Sequence, residues 1–147
     1  MQIKLFLFFL CTGISFLLSA QQNTELEDLY NIQISAEERA RIKEKIFEFS
    51  QQISQDPGNY IHYYNRGVMY GRLGLHIDAI SDYNKAIELK SDLSQAFYNR
   101  GLSRARFGYT KTSCIDIKKA AELGLTQGAS LYKSKCGLYF EELGELP

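Results

Sequence analysis

The string Tyr63-Tyr64-Asn65-Arg66-Gly67 returns 34 residues later, one residue altered, as Phe97-Tyr98-Asn99-Arg100-Gly101. The correspondence continues at the same offset: Gly74 with Gly108, Asp82 with Asp116, Lys85 with Lys119, Ala86 with Ala120, Glu88 with Glu122 and Leu89 with Leu123. One such pair would carry no information. A run of pairs at a single period means that the chain builds one local structure twice, and that each copy needs a neighbour to bury its apolar face. Whatever this chain folds into, it must stack.

The 147 residues are enough for one domain with a core of ordinary size. Aromatic residues are plentiful, as ten Tyr and nine Phe, and there are only two prolines, so the composition is that of a globular protein. The 17 Lys and Arg balance the 17 Asp and Glu, which argues against a nucleic-acid partner or a polybasic membrane surface.

The first twenty residues differ in kind. Lys4 precedes an apolar run, Leu5 to Leu10 and then Cys11 through Leu18, and Ser19-Ala20 stand ahead of Gln21. A short basic region, an apolar stretch and small residues before a cut describe a secretory signal over 1–20. The run is shorter than the roughly 20 apolar residues a spanning helix needs. We expect cleavage near Ala20 and export to the periplasm or beyond, in association with the cell envelope. Membrane attachment would come only through retention of this segment or through lipid on Cys11, and there Leu10 stands where a small residue is expected. Cleavage would leave Cys114 and Cys136, an even count in a compartment where disulfides persist. Their 21 intervening residues match no zinc pattern, and only two histidines could assist. The pair is either a disulfide or two small buried hydrophobes.

Along the rest of the chain, 21–34 mixes polar and apolar residues without a period and is expected to be an exposed lead-in. Residues 35–59 predict an N-terminal helix. Ser35-Ala36-Glu37-Glu38 is a capping-box sequence, Ile42, Ile46, Phe49 and Ile53 form one apolar face, and Asp56-Pro57-Gly58-Asn59 stops the run. The first full unit, 60–93, predicts helices over about 59–72 and 76–89, the second burying Ile77, Ala79, Ile80, Tyr83, Ala86 and Ile87. The second unit, 94–127, predicts helices over about 92–107 and 110–123, with Gly108 and Gly124 as stops. The segment 128–147, with Leu131, Tyr132, Leu138, Tyr139 and Phe140, predicts a helix that caps the open end of the stack. The expected fold is therefore all-α.

The two units resemble tetratricopeptide repeats, whose period is 34. Tyr63, Gly67, Tyr70, Gly74, Ala79, Tyr83 and Ala86 stand at the family's positions in the first unit. Phe97, Gly101, Gly108 and Ala120 do so in the second, with Ile117 in place of an aromatic. Arg104 and Ser113 depart from the pattern, and Ser91 and Leu125 replace the closing proline. At the ends, Phe49 and Ile53 lie 34 before Tyr83 and Ile87, and Tyr132 lies 34 after Tyr98. The resemblance implies a right-handed α-solenoid of helix-turn-helix units with an N-terminal helix and a C-terminal capping helix. It also implies a non-catalytic module that binds a protein or peptide segment in a concave groove lined by first helices.

Carried over position by position, that groove would show Ile61, Tyr64, Val68 and Arg72, then Gln95, Tyr98, Leu102 and Arg106, with Tyr64 over Tyr98 and Arg72 over Arg106. Tyrosines with arginine forks suit an extended segment bearing acidic groups. The competing reading of the arginines is a solvated face whose stems cover their neighbours. Where some family members clamp a terminal carboxylate with asparagines, this chain has Val68 and Leu102, so that clamp is not expected. Asn65, Asn99, Arg66 and Arg100 read as structural. The sequence holds no HExxH, GxSxG or phosphate-cradling loop, so neither enzyme activity, cofactor nor metal is expected. An alternative is a structural role, in which the short array completes itself by self-association through its end helices.

Overall fold

The computed structural model of the chain describes residues 34–137. The expected export signal, nearly all of the expected lead-in, and Leu138, Tyr139 and Phe140 of the expected cap lie outside the described residues. The chain divides into two compact units between Arg39 and Ala40. Of the first, only 34–39 are described; there Ser35 Oγ accepts from Glu38 N at 3.1 Å at the start of the first helix. The second unit carries everything that follows.

All regular elements among the described residues are helical: α1 (Ala36–Gln55), α2 (Tyr60–Arg72), α3 (His76–Leu89), α4 (Ser94–Arg104), α5 (Lys111–Glu122) and α6 (Thr126–Leu131). α4 tightens into a 3-10 turn, Ala105–Phe107, and α6 widens into a π turn, Tyr132–Cys136. Among the described residues, no helix is long and apolar enough to cross a membrane. Local chemistry sets the boundaries. Asn59 caps α2 through its side chain, which accepts from Ile61 N, and Thr110 and Ser113 form a reciprocal capping box on α5. Gly74 (φ 75°) and Gly124 (φ 87°) supply the left-handed residue in two copies of a Leu-Gly-Leu turn, at 73–75 and 123–125.

From α2 onward each helix packs on its neighbours in the chain, α2 on α3, α3 on α4, α4 on α5 and α5 on α6, and α2 also touches α4. That is the contact order of an α-solenoid. The helices come close because the contact positions are small. A Cβ at Gly67 would lie 2.8 Å from the Tyr83 ring, and one at Gly101 would lie 2.8 Å from Ile117 Cγ1. The core forms in two parts. Ala79, Tyr83 and Ala96 carry Tyr64, Val68, Tyr70, Ile87 and Leu93, while Cys114, Ile117 and Cys136 carry Tyr109, Leu131 and Tyr132.

A three-helix ion pair recurs with the period. Arg66 donates through Nε and Nη2 to both carboxylate oxygens of Asp82, at 2.8 and 2.7 Å, and through Nη1 to Ser50 Oγ at 3.0 Å. Arg100 repeats this with Asp116, at 2.9 and 2.6 Å, and with Asn84 Oδ1 at 2.7 Å. Ser50 and Asn84 are themselves 34 apart, so the two arginines find their third partners at equivalent positions. Both aspartates are nearly buried, with side chains 7% and 3% exposed, and such a carboxylate is stable only when its oxygens are paired this fully.

Four expectations need correction. Ile77 is 84% exposed, because the buried stripe of α3 runs through Ala79, Asp82, Tyr83 and Ala86, and a residue two before Ala79 points the other way. α4 begins at Ser94 rather than Asp92, since Leu93 is its cap. It also ends as α-helix at Arg104, three residues short of Phe107. The capping helix starts at Thr126 rather than Gly128 because α5 has 12 residues where α3 has 14 and the link after it is also shorter: the cap residues Leu93 and Leu125 are 32 apart, not 34. Ser130 therefore takes the place that Tyr98 has in α4, and Tyr132 packs against the Cys114–Ile117–Cys136 cluster instead.

Candidate functional site: a two-part groove

Two depressions open between the helices that begin the units. The first, about 280 Å³, lies between α2 and α4. Val68, Gly71 and Arg72 form one wall, Asn99, Leu102 and Ser103 the other, and His76 and Tyr83 of α3 form the floor. The second, about 480 Å³, lies between α4 and α6, with Tyr98 facing Thr126, Gln127, Ser130, Leu131 and Ser134 of α6 and its π extension. Neither lining contains a carboxylate. The first is apolar with cationic and amide groups, and the second is lined mainly by uncharged polar side chains.

Of the groove residues expected from the sequence, Val68, Arg72 and Leu102 meet in the first depression, and Tyr98 lines the second. Arg106 is exposed, and its charge acts on His76. Gln95 is exposed in the first turn of α4, where its Oε1 accepts from Ser94 Oγ, and Ile61 is 46% exposed. Tyr64 is half-buried in the first core cluster; its ring lies 6.1 Å from that of Tyr83 at a 46° tilt, and its hydroxyl accepts from Asn99 Nδ2 at 3.2 Å. Burial pushes the Tyr64 hydroxyl above its ordinary value, against the opposing hydrogen bond from Asn99. Tyr64 thus works as a strut between α2 and α4, and Asn99 both holds that strut and lines the groove.

His76 was not anticipated. It is the first residue of α3, four after Arg72, and the tight turn at Leu73-Gly74-Leu75 folds it back beneath that arginine's helix. Both of its ring nitrogens are buried and without a hydrogen-bond partner among the described residues. Burial first, and then the Arg106 charge, hold its pKa below the ordinary 6.5, so the ring is neutral in the groove. The turn, repeated in the sequence, was the available signal. Among the described residues no group of three or more His, Cys, Asp or Glu is placed to hold a metal ion.

A disulfide ties the π turn after α6 to α5. Cys114 of α5 and Cys136 of the π turn are bonded, with Cα atoms 5.5 Å apart, and both are fully buried.

Residues 61–93 match the family model for the tetratricopeptide repeat. Over that stretch, 33 of the 147 residues, the chain is similar to a tetratricopeptide repeat. A curated relative, the protein STIP1 homolog of Dictyostelium discoideum, is 35% identical over 79 residues, 54% of this chain. The aligned part spans only 14% of that relative's length. Among solved structures, the first TPR of Spaghetti (RPAP3) bound to the HSP90 peptide SRMEEVD is similar, with a TM-score of 0.55 over 68% of this chain and 91% of that one. At 21% identity this likeness shows the fold. In terms of the 34-residue period, the first depression lies between consecutive first helices, and the Arg66–Asp82 and Arg100–Asp116 pairs tie each first helix to its own second helix.

Proposed function

We propose that the protein is a non-catalytic interaction module that holds an extended protein segment bearing acidic groups along the α2–α4–α6 face. The observation that carries this reading is the chemistry of the first depression. Val68 and Leu102 offer apolar contact; Arg72, Asn99 and the nearby Arg106 offer donors and positive charge; no carboxylate competes. Arg72 and Arg106 already engage other groups, so an incoming carboxylate would share or exchange those interactions. Arginine is suited to this because its planar fork meets a carboxylate with two parallel bonds. The acidic peptide held by the similar Spaghetti structure supports the same class of ligand.

Calorimetric titration with the peptide SRMEEVD, and with a version whose acids are changed to amides, tests the reading. Binding of the acidic form is expected, with the amide form weaker by about tenfold or more. The double substitution Arg72→Glu and Arg106→Glu should remove binding while the helical circular dichroism persists. Equal binding by both peptides and by the variant would overturn the acidic reading.

Export belongs to the same proposal and rests on the n-region and h-region of 1–20 alone. N-terminal sequencing of the protein recovered from the envelope fraction would show a start at Gln21 if the signal is cleaved near Ala20.

A further inference from the structure

The two walls of the second depression are held differently. Its α4 side belongs to a helix packed against both α3 and α5, whereas among the described residues its α6 side and the π turn that continues it pack mainly on α5. A short helix of this kind draws its stability from packing rather than from propensity, because the nucleation cost is recovered slowly. Three things seat this wall. Gly128 lies flat on Ala120 and Ala121, where an added Cβ would come within 3.0 Å of backbone. Leu131 and Tyr132 pack on the Cys114–Ile117–Cys136 cluster. The disulfide links the end of the π turn to α5.

The π turn decides where the sulfur points. Ala96 of α4 and Gly128 of α6 are equivalent, 32 apart and both buried. At that offset buried Ser103 would correspond to Lys135, which is exposed. The wider turn adds one residue, so Cys136 rather than Lys135 takes the inward position beside Cys114.

We infer that the Cys114–Cys136 bond is what keeps the second depression formed, so that the groove is full-length in the oxidised protein and reduced to its α2–α4 half when the bond is cut. This rests on the groove reading above but is tested separately from it. The cut is a thiol–disulfide exchange with a dithiol. A thiolate of the dithiol attacks one cysteine sulfur and releases the other as thiolate, and the second thiol then displaces the remaining cysteine. The protein gains two electrons and two protons, and the dithiol leaves as a disulfide. Both sulfurs are fully buried, so the attack waits for the wall to open. A wall loosened by Leu131→Ala is therefore reduced faster than the wild type.

The experiment is amide hydrogen exchange on the full chain, oxidised and after dithiothreitol, with Cys114→Ala/Cys136→Ala as a second reduced form. The inference expects amides of 126–137 to exchange about tenfold faster or more in both reduced forms while those of 60–122 keep their protection. Unchanged protection of 126–137 in both reduced forms overturns it, as does loss of protection across 60–122, which would make the bond a support of the whole fold. Titration with the peptide SRMEEVD extended by four residues at each end adds the link to binding. Tyr98→Ala should weaken binding to the oxidised protein and leave the reduced protein unaffected. A peptide that binds neither form would count against the groove reading, whereas the exchange result still decides the inference about the wall.

Discussion

The repeated pentapeptide divides its labour residue by residue. Arg66 and Arg100 each tie three helices together and also lie over aromatic neighbours, Arg66 above Tyr63 and Tyr70 and Arg100 above Phe97 at 5.2 Å. Asp116 accepts from both Arg100 and Arg104, so Asp116→Ala would strand two arginines, and we expect a loss of about 3–5 kcal/mol in urea denaturation. Lys45→Ala, which breaks an exposed pair with Glu48, should leave the same transition unmoved. At Gly101 a methyl group would meet Ile117 and the Ser113 carbonyl oxygen, at 2.8 and 3.1 Å, so Gly101→Ala should destabilise by about 1–3 kcal/mol. Gly71→Ala, whose new methyl finds nothing nearer than 3.6 Å, should instead be neutral or stabilise the helix slightly. His76 brings a pH dependence. Its folded pKa lies below the unfolded value of 6.5, so between the two the unfolded chain binds more protons. Its contribution is complete above 6.5 and declines as the pH falls below that value, and His76→Gln should flatten the fall in urea midpoint from neutral pH towards pH 5.

At the level of elements, the turns carry more of the design than the helices do. The two Leu-Gly-Leu turns are alike, yet the first joins helices within a unit and the second joins one unit to the cap. Gly124→Ala would place a methyl at φ 87°, costing about 1 kcal/mol or more, with the loss concentrated in hydrogen exchange of α6. This turn also explains where the sequence was readable and where it was not. Helix periodicity, Pro57-Gly58 and the 34-residue offset locate α1 to α5 to within about three residues, because packing faces and stops are written in local composition. The start of the cap is shifted because a shorter α5 and a shorter link change the offset to 32, and no periodic count from inside the array foresees that. The placement of Val68, Arg72, Leu102 and Tyr98 along the two depressions was legible, because these residues inherit their direction from the helix. His76 escaped because its direction comes from a turn. Tyr64 was misjudged because Asn99, on the next first helix, draws its hydroxyl in.

For the molecule as a whole, stability in a stack of this kind is a sum over neighbours, so interior helices are held from two sides and terminal ones from one. Hydrogen exchange should therefore be slowest in α3 and α4 and faster towards Gly137, and a flat profile would mean that the array unfolds as one unit. The three-helix arginine pair has a further consequence for how long such a stack can be. It works as a key and a lock that recur with each unit: arginine on the incoming helix, serine or asparagine on the helix it meets, at Ser50 and then Asn84. One period later the lock position is Lys118, and on the 32-residue spacing of the cap the key position is Tyr132. A cation at the lock would repel an arriving arginine, and the cap brings none. A unit grafted after Glu122 is therefore expected to dock more stably with Lys118→Asn than with Lys118, as urea denaturation of the two grafts would read.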